Sequence, residues 1–334
     1  MNQPDENPPT LKTIAELTGF SLSTVSLSLR DGGKLKKETR EKVLKAAHQI
    51  GYVPNRAGVR LRTGRTQVLT LALAADKNII DYTRLLIQGI GNHIRGSAYH
   101  LNVIPEFTRK DSMSVVNYVL DSKIADGIIL THTTARDPRV KRLMEKNFPF
   151  VTHGRTAFST SHPFHDFDAE SYVAMAVERL VAKGRTRPVL AAIDNGTLNF
   201  THIARGFRKA VQRFGVEGIV IKNPDSLQTT SQARQLAREL AAMKDSFDAI
   251  ICNNELTALA IIAGLTDSGL SLAADYDIVC KQTTEILPML YPEIDTVIED
   301  LNLAGKELAR LLVARIDGDP QQKLQSIQEP TVSW

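Results

Sequence analysis

The chain has 334 residues, of which 43% are hydrophobic and 23% charged, and its formal net charge is +4. These are ordinary globular values, so a disordered or collagen-like chain is excluded, and the length suggests two domains with a possible third small unit. Two cysteines are too few for a disulfide framework, which indicates a reducing compartment. Residues 1–9 lack the features of a signal peptide, and no apolar run approaches the ~20 residues that span a bilayer. We therefore expect a cytoplasmic protein without a membrane segment.

The positive charge is concentrated near the N-terminus. Residues 10–66 contain twelve Lys and Arg but four Asp and Glu, a net charge of +8, whereas residues 1–9 and 67–334 each carry −2. A compact basic segment joined to a slightly acidic remainder is typical of nucleic-acid binders. A solvated basic face would have the same composition, so charge alone leaves both interpretations open.

Three short helices are predicted within residues 10–53, after a disordered leader at 1–9. Gly19 ends the first, Ser21 is a good N-cap for the second, and Gly51 ends the third. Two helices joined by a short turn with glycine form a helix-turn-helix. Its second helix presents N-terminal side chains to bases in the major groove. The candidate DNA-contacting residues here are Thr13, Ser21, Leu22, Ser23, Thr24, Ser26 and Arg30.

Two sequence runs carry a family resemblance. The run from Thr13 to Ser26, TIAELTGFSLSTVS, and the later run from Gly51 to Ala57, GYVPNRA, resemble the signature segments of the LacI/GalR bacterial transcription regulators. The resemblance implies a homodimeric repressor that binds double-stranded operator DNA. This chain has Leu27 where the family often has Arg, the commonest guanine contact. We therefore expect base selection to depend more on Leu22, Ser23 and the hydroxyls.

Residues 54–65 are predicted to form a hinge helix or linker. Pro54 suits the first turn of a helix, but a helix this short that contains Gly58 is marginal in isolation, so we expect it to form on DNA. The resemblance implies that the hinge enters the minor groove with Leu61 wedged between base steps, assisted by Asn55 and Arg56. The alternative is a plain linker in which Leu61 is merely packed.

From residue 66 onward, apolar β-rich runs alternate with amphipathic helical stretches. This alternation predicts an α/β body with parallel sheets and helices on both faces. About eight strands in loosely repeated halves suggest two sheets, split near His165. The resemblance implies a bilobed, periplasmic-binding-protein-like domain over 66–334, with lobes at about 66–165 and 166–295 and a C-terminal segment crossing back. Ligands then bind at the carboxyl ends of the strands, between the lobes.

Effector-contacting positions are carried over from the resemblance one by one. They are Asp76, Tyr82, His153, Arg155, Asp168, His202, Asn254 and Gln282. Gly154 stands where many members have an acid, Ile203 where many have an Arg, and Gln282 where an Asp is common, so no single effector can be copied. The remaining His- and amide-rich set suits a neutral polyol. The run from Val151 to Arg155 is similar to α-glucoside-utilisation repressors.

Other functional classes fit the sequence less well. No phosphate-binding loop, nucleophile elbow or zinc-protease motif is present, so no enzyme, cofactor or metal is expected. Histidines 153, 162 and 165 with Asp166 and Asp168 could be drawn as a metal cluster, but they lack ligand spacing. A solute-binding protein would need a signal peptide, and a regulator of a non-sugar metabolite stays an alternative. No leucine heptad follows the body, so a dimer is expected rather than a tetramer.

Overall fold

A computed structural model describes residues 8–29, 35–53, 56–74, 82–106, 112–194, 196–221, 224–320 and 323–334. The chain divides into two compact units, Met1–Thr66 and Gln67–Trp334. Most of the predicted leader falls outside the described residues, and so do three of the predicted site residues: Arg30, Asn55 and Asp76.

The described part of the N-terminal unit is helical, which confirms the small all-α head. Its helices are α1 (Leu11–Thr18), α2 (Leu22–Ser28), α3 (Lys37–Gln49) and α4 (Arg56–Thr63). A capping box at Thr10 begins α1, and Gly19 ends it with a left-handed φ of 73°. The first three helices enclose a small core of Ile14, Val25, Val43 and Ala47.

The second unit alternates strands and helices as the sequence predicts. In chain order it contains β1 (Val68–Ala74), α5 (Tyr82–Ile94), β2 (His100–Glu106), α6 (Ser112–Ser122), β3 (Gly127–Leu130), α7 (Pro138–Glu145), β4 (Phe150–His153), β5 (Phe164–Phe167), α8 (Ala169–Ala182), β6 (Pro188–Ala191), α9 (Leu198–Phe214), β7 (Ile219–Val220), α10 (Thr230–Ala242), β8 (Ala249–Cys252), α11 (Glu255–Asp267), β9 (Asp277–Gln282), α12 (Ile286–Leu290), β10 (Asp295–Ile298), α13 (Leu301–Asp317), β11 (Gln325–Gln328) and β12 (Thr331–Ser333).

The strands form two six-stranded sheets. The first has the order β11-β5-β4-β3-β1-β2 and the second the order β12-β10-β9-β8-β6-β7. Central strands such as β3 and β8 are buried along their whole length, as expected where helices cover both faces of a parallel sheet. The two sheets are parallel as predicted except at one edge, where β12 pairs antiparallel with β10 in the second sheet.

The chain passes between the two sheets three times. It leaves the first sheet after β5, returns to it after β10 through α13 and β11, and then adds β12 to the second sheet. In the first sheet β5 ends at Phe167, two residues beyond the predicted lobe boundary near 165, and in the second sheet β10 runs from Asp295 to Ile298, past the predicted end of the second lobe near 295.

Several elements were missing from the sequence prediction. Strands β5 and β10 have four residues each and carry polar side chains, which leaves too short an apolar pattern to detect. The helix α13 was expected only as a crossing segment. It packs closely on α5 at two glycines, since a Cβ on Gly89 would lie 2.0 Å from the Asn302 carbonyl oxygen and one on Gly305 would lie 2.2 Å from that of Leu86.

Candidate functional site

The N-terminus of α2 presents a cluster of hydroxyl groups. Ser21 caps the helix by accepting a hydrogen bond from the Thr24 amide at 3.2 Å. The Ser21 hydroxyl also lies 2.8 Å from that of Ser23 and 2.9 Å from that of Thr24. Leu22 stands beside them with 52% of its side chain exposed, whereas Ser26 is half-buried on the same helix. Hydroxyls and an exposed leucine at a helix N-terminus can bind phosphates and thymine methyls.

Thr13 has a structural partner within α1. Its hydroxyl accepts a hydrogen bond from the Thr10 amide at 3.1 Å, and its own amide donates to the Thr10 hydroxyl at 3.3 Å. This capping box holds the Thr13 side chain at the start of the helix. Its contact with DNA stays a prediction.

The hinge segment carries the most exposed large apolar side chain among the described residues. Arg56 begins α4, and Leu61 lies on the same helix with 90% of its surface exposed. An apolar side chain exposed to this degree is available for insertion between bases.

The body contains a cavity between its two sheets, where the carboxyl ends of the strands meet. The empty space amounts to about 1270 Å³, a figure that includes open solvent at the mouth of the cavity. Of the predicted effector residues, Tyr82, His153, Arg155 and Asn254 line this cavity. The other lining residues among those described are His132, Thr133, Gly154, Asp166, Ile193, Thr197, Asn199, Asn253, Glu255, Leu256, Leu259, Lys281, Thr283, Thr284, Ile286 and Glu299.

Four largely buried groups form a polar chain across the cavity. The Tyr82 hydroxyl is hydrogen-bonded to Nδ1 of His153, whose Nε2 lies 3.9 Å from the Glu299 carboxylate. Glu299 in turn forms an ion pair with Lys281. This row of side chains links the two sheets. His153 ends β4 of the first sheet, whereas Lys281 lies in β9 and Glu299 directly follows β10 of the second.

Burial has a strong effect on the protonation states of the side chains in this row. It lowers the pKa of His153 to about 3, and it raises the pKa of Tyr82 well above its usual range, so both groups are neutral near pH 7. Burial alone would raise the pKa of Glu299, but the charge of Lys281 and the hydrogen bond that it donates outweigh burial, so the pKa is lowered. A neutral His153 therefore accepts from Tyr82 at Nδ1 and directs its Nε2–H toward a carboxylate.

Arg155 is held by its neighbours at the cavity wall. Its Nε lies 2.5 Å from the Asp166 carboxylate, and its terminal nitrogen lies 3.5 Å from Nδ1 of His202. His202 is buried on α9 behind Arg155 and is not among the lining residues; burial, and then the charge of Arg155, lowers its pKa. His202 therefore does not contact the cavity itself and can influence it only through Arg155.

Two other predicted effector residues lie away from the cavity wall. The Asp168 carboxylate caps α8 by accepting from the Ser171 amide at 3.1 Å and from the Ser171 hydroxyl at 2.7 Å. Gln282 is 4% exposed, and its side-chain oxygen accepts from the Thr296 hydroxyl at 2.5 Å. Neither side chain is among those that line the cavity, and both form hydrogen bonds within the protein.

The acid that many LacI/GalR members have at position 154 would not fit here. Gly154 has a φ of 102°, and a Cβ on it would stand 2.9 Å from Oγ1 of Thr133. Side chains are disfavoured at this φ, so the glycine follows from the backbone conformation. The wall at this point is formed by main chain and by Thr133.

Sequence reasoning missed several residues of the wall. His132 and Thr133 directly follow the β3 run, and Asn253 follows β8, so the rule that ligands bind after parallel strands could have found them. Glu299 follows β10, a strand that the sequence pattern did not reveal. The pairing of Lys281 with Glu299 depends on two neighbouring strands and has no local signal.

Both cationic side chains of the described wall are paired with carboxylates, and the remaining carboxylate, Glu255, is hydrogen-bonded to hydroxyl groups. Arg155 pairs with Asp166 and Lys281 with Glu299, while Glu255 accepts hydrogen bonds from Thr283 and Thr284. Among the described residues, no group of three His, Cys, Asp or Glu side chains could hold a metal ion. Within the same ranges, no helix is long and apolar enough to span a bilayer. The arrangement offers a polar cavity in which paired charges stand beside neutral donors and acceptors from His, Asn and Thr side chains.

Comparison with known families agrees with this geometry. Residues 82–325 match the model of the periplasmic binding proteins and sugar binding domain of the LacI family, and residues 10–55 match the model of the bacterial regulatory proteins of the lacI family. The chain belongs to the LacI family. It is accordingly a DNA-binding transcriptional regulator, and the enzyme interpretation is rejected.

Curated LacI-family relatives extend over almost the whole chain. The HTH-type transcriptional regulator AglR of Rhizobium meliloti (strain 1021) is 27% identical over 95% of this chain and 91% of its own length. CelR of Thermobifida fusca is 25% identical over 96% of both chains. RafR of Escherichia coli is 27% identical with the same coverage.

Solved structures of LacI-family proteins share the fold. The lac repressor dimer bound to operator and an anti-inducer superposes with a TM-score of 0.81 at 20% identity over 98% of both chains. The complex of the transcriptional regulator CelR with cellobiose gives 0.71 at 24% identity, also over 98% of both chains. These similarities show the same architecture of helical head and two-sheet body.

Proposed function

We propose that this LacI-family regulator represses sugar-utilisation genes and that a neutral carbohydrate in the cavity modulates its operator binding. The observation that carries the proposal is the pairing of both cationic side chains of the described wall with carboxylates of the same wall. A phosphorylated or carboxylated effector would have to displace those carboxylates, whereas hydroxyls can bond to the imidazole, amide and hydroxyl groups without disturbing them.

The side chains around the cavity suit one or two sugar rings. Tyr82, His132 and His153 supply flat rings from the first lobe, and Asn199, Asn253 and Asn254 supply amides from the second. Relatives point the same way, since one is solved as a complex with cellobiose and another is the ribose operon repressor of Lactococcus lactis. The predicted similarity to α-glucoside-utilisation repressors makes α-linked disaccharides the first candidates.

On the DNA side, two heads of a homodimer would read the half-sites of a near-palindrome in the cytoplasm. Ser21, Leu22, Ser23, Thr24 and Ser26 would contact the major groove, with Thr13 and Arg30 beside them. Leu61 would enter the minor groove together with Asn55 and Arg56. The +8 charge of residues 10–66 supports this division of roles.

The test combines operator selection with a ligand panel. Operator sites would be selected from a random DNA pool with the full chain, and maltose, trehalose, sucrose, cellobiose, glucose and glucose 6-phosphate would be titrated by calorimetry. We expect a near-palindromic site whose log affinity falls with log salt by about 0.9 per phosphate contacted. At least one neutral disaccharide should bind and shift operator affinity. Glucose 6-phosphate binding tightest, or no sugar binding, would overturn the carbohydrate assignment.

A further inference from the structure

The segment after β3 brings His132 into the cavity in an unusual backbone conformation. His132 has a φ of 53°, in the left-handed region that favours glycine, and its ring centroid lies 5.3 Å from that of Tyr82. A residue with a side chain adopts this φ only where its surroundings enforce it. Something beyond the local sequence therefore holds His132 in place.

A buried arginine on α7 contacts the backbone on both sides of this point. Arg139 is 5% exposed, and its terminal nitrogen donates to the carbonyl oxygens of Thr131 at 3.0 Å and of His132 at 3.4 Å. The two carbonyls belong to successive residues, so one guanidinium group determines the direction of the chain at the start of the loop.

Two buried carboxylates orient the guanidinium group. Asp137 receives hydrogen bonds from Nε and Nη2 of Arg139 at 3.0 and 2.8 Å, and Glu106 receives one from Nη1 at 2.7 Å. Asp137 also accepts a hydrogen bond from the Thr134 amide at 3.2 Å, so it holds the loop after β3 at a second point. The three side chains form a connected unit, the Arg139 triad of Arg139, Asp137 and Glu106.

The Arg139 triad reaches the neighbouring loop as well. The hydroxyl of Thr133 lies 3.2 Å from the Gly154 carbonyl oxygen and 3.3 Å from that of Arg155. The loop held by Arg139 therefore contacts the loop that carries His153 and Arg155. A displacement at residue 132 would therefore also move the loop that carries His153 and Arg155.

Stability alone gives little reason for this arrangement. Replacing a buried ion pair with apolar side chains of similar volume is often neutral or stabilising. Burial raises the pKa of Glu106 in spite of the charge of Arg139, which shows an incompletely compensated buried carboxyl group. What the planar fork of Arg139 supplies, and an apolar residue would not, is a defined direction for two carbonyl groups.

We propose that Arg139 is a positioning residue for effector selectivity: with Asp137 and Glu106 it holds the Thr131–Thr133 segment so that His132 faces the ligand. Arg139 does not line the cavity and acts only through His132 and Thr133. The identity of the ligand rests on the proposed function, whereas the positioning of His132 does not.

The first arm of the test needs no ligand. The full chain, which contains eight histidines, would be labelled with [13Cε1]-histidine, and the signal that disappears in His132→Ala would be assigned to residue 132. Arg139→Lys keeps the charge but removes the fork, so we expect the His132 signal to shift or broaden while the fold is retained. An unchanged His132 signal in folded Arg139→Lys would overturn the proposal.

A matched arginine provides the control. Arg179 pairs bidentately with Asp295 at 3.0 Å for both bonds, at the amino end of β10 and away from the cavity. Arg179→Lys should leave the His132 signal where it is. If Arg139→Lys does not fold, Glu106→Gln takes its place, because it removes one charged partner of the guanidinium; it too must move the His132 signal, and no movement overturns the proposal.

The second arm uses the panel sugar that binds the unmodified chain most tightly. Arg139→Lys should weaken its binding about tenfold, roughly the loss of one hydrogen bond, and leave sugar-free operator affinity within about twofold. In the His132→Ala background the same change should have a smaller further effect, limited to the part that passes through Thr133. Additive losses would show a merely structural role and overturn the proposal. If no panel sugar binds, the carbohydrate assignment fails while the histidine signals still decide the positioning.

Discussion

The Tyr82 hydroxyl and Nδ1 of His153 are hydrogen-bonded to each other in the cavity wall, with their rings stacked at a centroid distance of 5.6 Å. Tyr82 begins α5 and His153 ends β4, so the bond ties a helix N-terminus to a strand end 71 residues along the chain. Both groups are buried and neutral. The contact sets the orientation of His153 toward Glu299, and through it the link between the two lobes.

Tyr82→Phe tests this contact. The substitution removes the hydroxyl and leaves a buried imidazole nitrogen without its donor, so the free energy of unfolding should fall by about 1–3 kcal/mol. Urea denaturation measures the change. Tyr118→Phe on α6, where the side chain is 54% exposed, serves as the control and should change stability by no more than about 0.5 kcal/mol. Equal stability of Tyr82→Phe and the unmodified chain would contradict the expectation.

Gly154→Ala should destabilise the body and weaken sugar binding. The added Cβ meets Oγ1 of Thr133 at 2.9 Å, and a φ of 102° disfavours any side chain, which together should cost about 1–2 kcal/mol or more. Gly91→Ala is the matched control, because Gly91 lies within α5 and an added methyl group there would meet nothing within 4 Å. It should instead stabilise the helix by about 0.5–1 kcal/mol. Thermal and urea melts of both variants compare the two glycines directly, and similar effects would refute the steric explanation.

Leu61→Ala tests the minor-groove wedge. If the 90% exposed side chain is buried between bases, its loss should cost about 1.5–3 kcal/mol of operator binding, roughly 10- to 100-fold. Leu61→Met keeps a large apolar side chain and should retain most of the affinity. Gel shifts on the selected operator measure both variants. Unchanged affinity of Leu61→Ala would favour the alternative of a plain linker.

Buried histidines predict a loss of stability in acid. The pKa of His153 is about 3 in the folded chain, compared with a usual value of 6.5. Between pH 6.5 and pH 3, His153 is therefore protonated in the unfolded chain but not in the folded chain. Stability is therefore lost as the pH falls from 6.5 toward 3, by about 2 kcal/mol at pH 5 for this group alone. Burial lowers the pKa of His162 and His165 in the same direction.

The measurement compares urea denaturation at pH 7.5 and pH 5.0. The unmodified chain should be less stable at the lower pH, and His153→Gln should lose less stability between the two pH values than the unmodified chain does. A variant with the same pH dependence would show that His153 is not the group responsible.

The sequence by itself determined the head, the class of the body and part of the cavity. The helix-turn-helix depends on local signals such as the Ser21 cap and the Gly19 stop, which act within a few residues of the chain. Long apolar strands and amphipathic helices could be predicted for the same reason, because their residue patterns are also local. Tyr82, His153, Arg155 and Asn254 were found because they follow strands or match family motifs, and strand ends meet at one edge of a parallel sheet.

Only the tertiary structure decided which side chains line the cavity and which of them bond to one another. Asp168 and Gln282 match family positions, yet neither lines the cavity, and each is bonded to a neighbour, Ser171 or Thr296. Glu299 enters the wall because β10 pairs with β9 and brings it to Lys281. Likewise, Arg139 reaches the His132 carbonyl only because α7 folds back over the end of β3. The Asp168–Ser171 bond is a local helix cap, but the pairings of Gln282 with Thr296 and of Lys281 with Glu299 depend on strand pairing, and no local residue pattern encodes them.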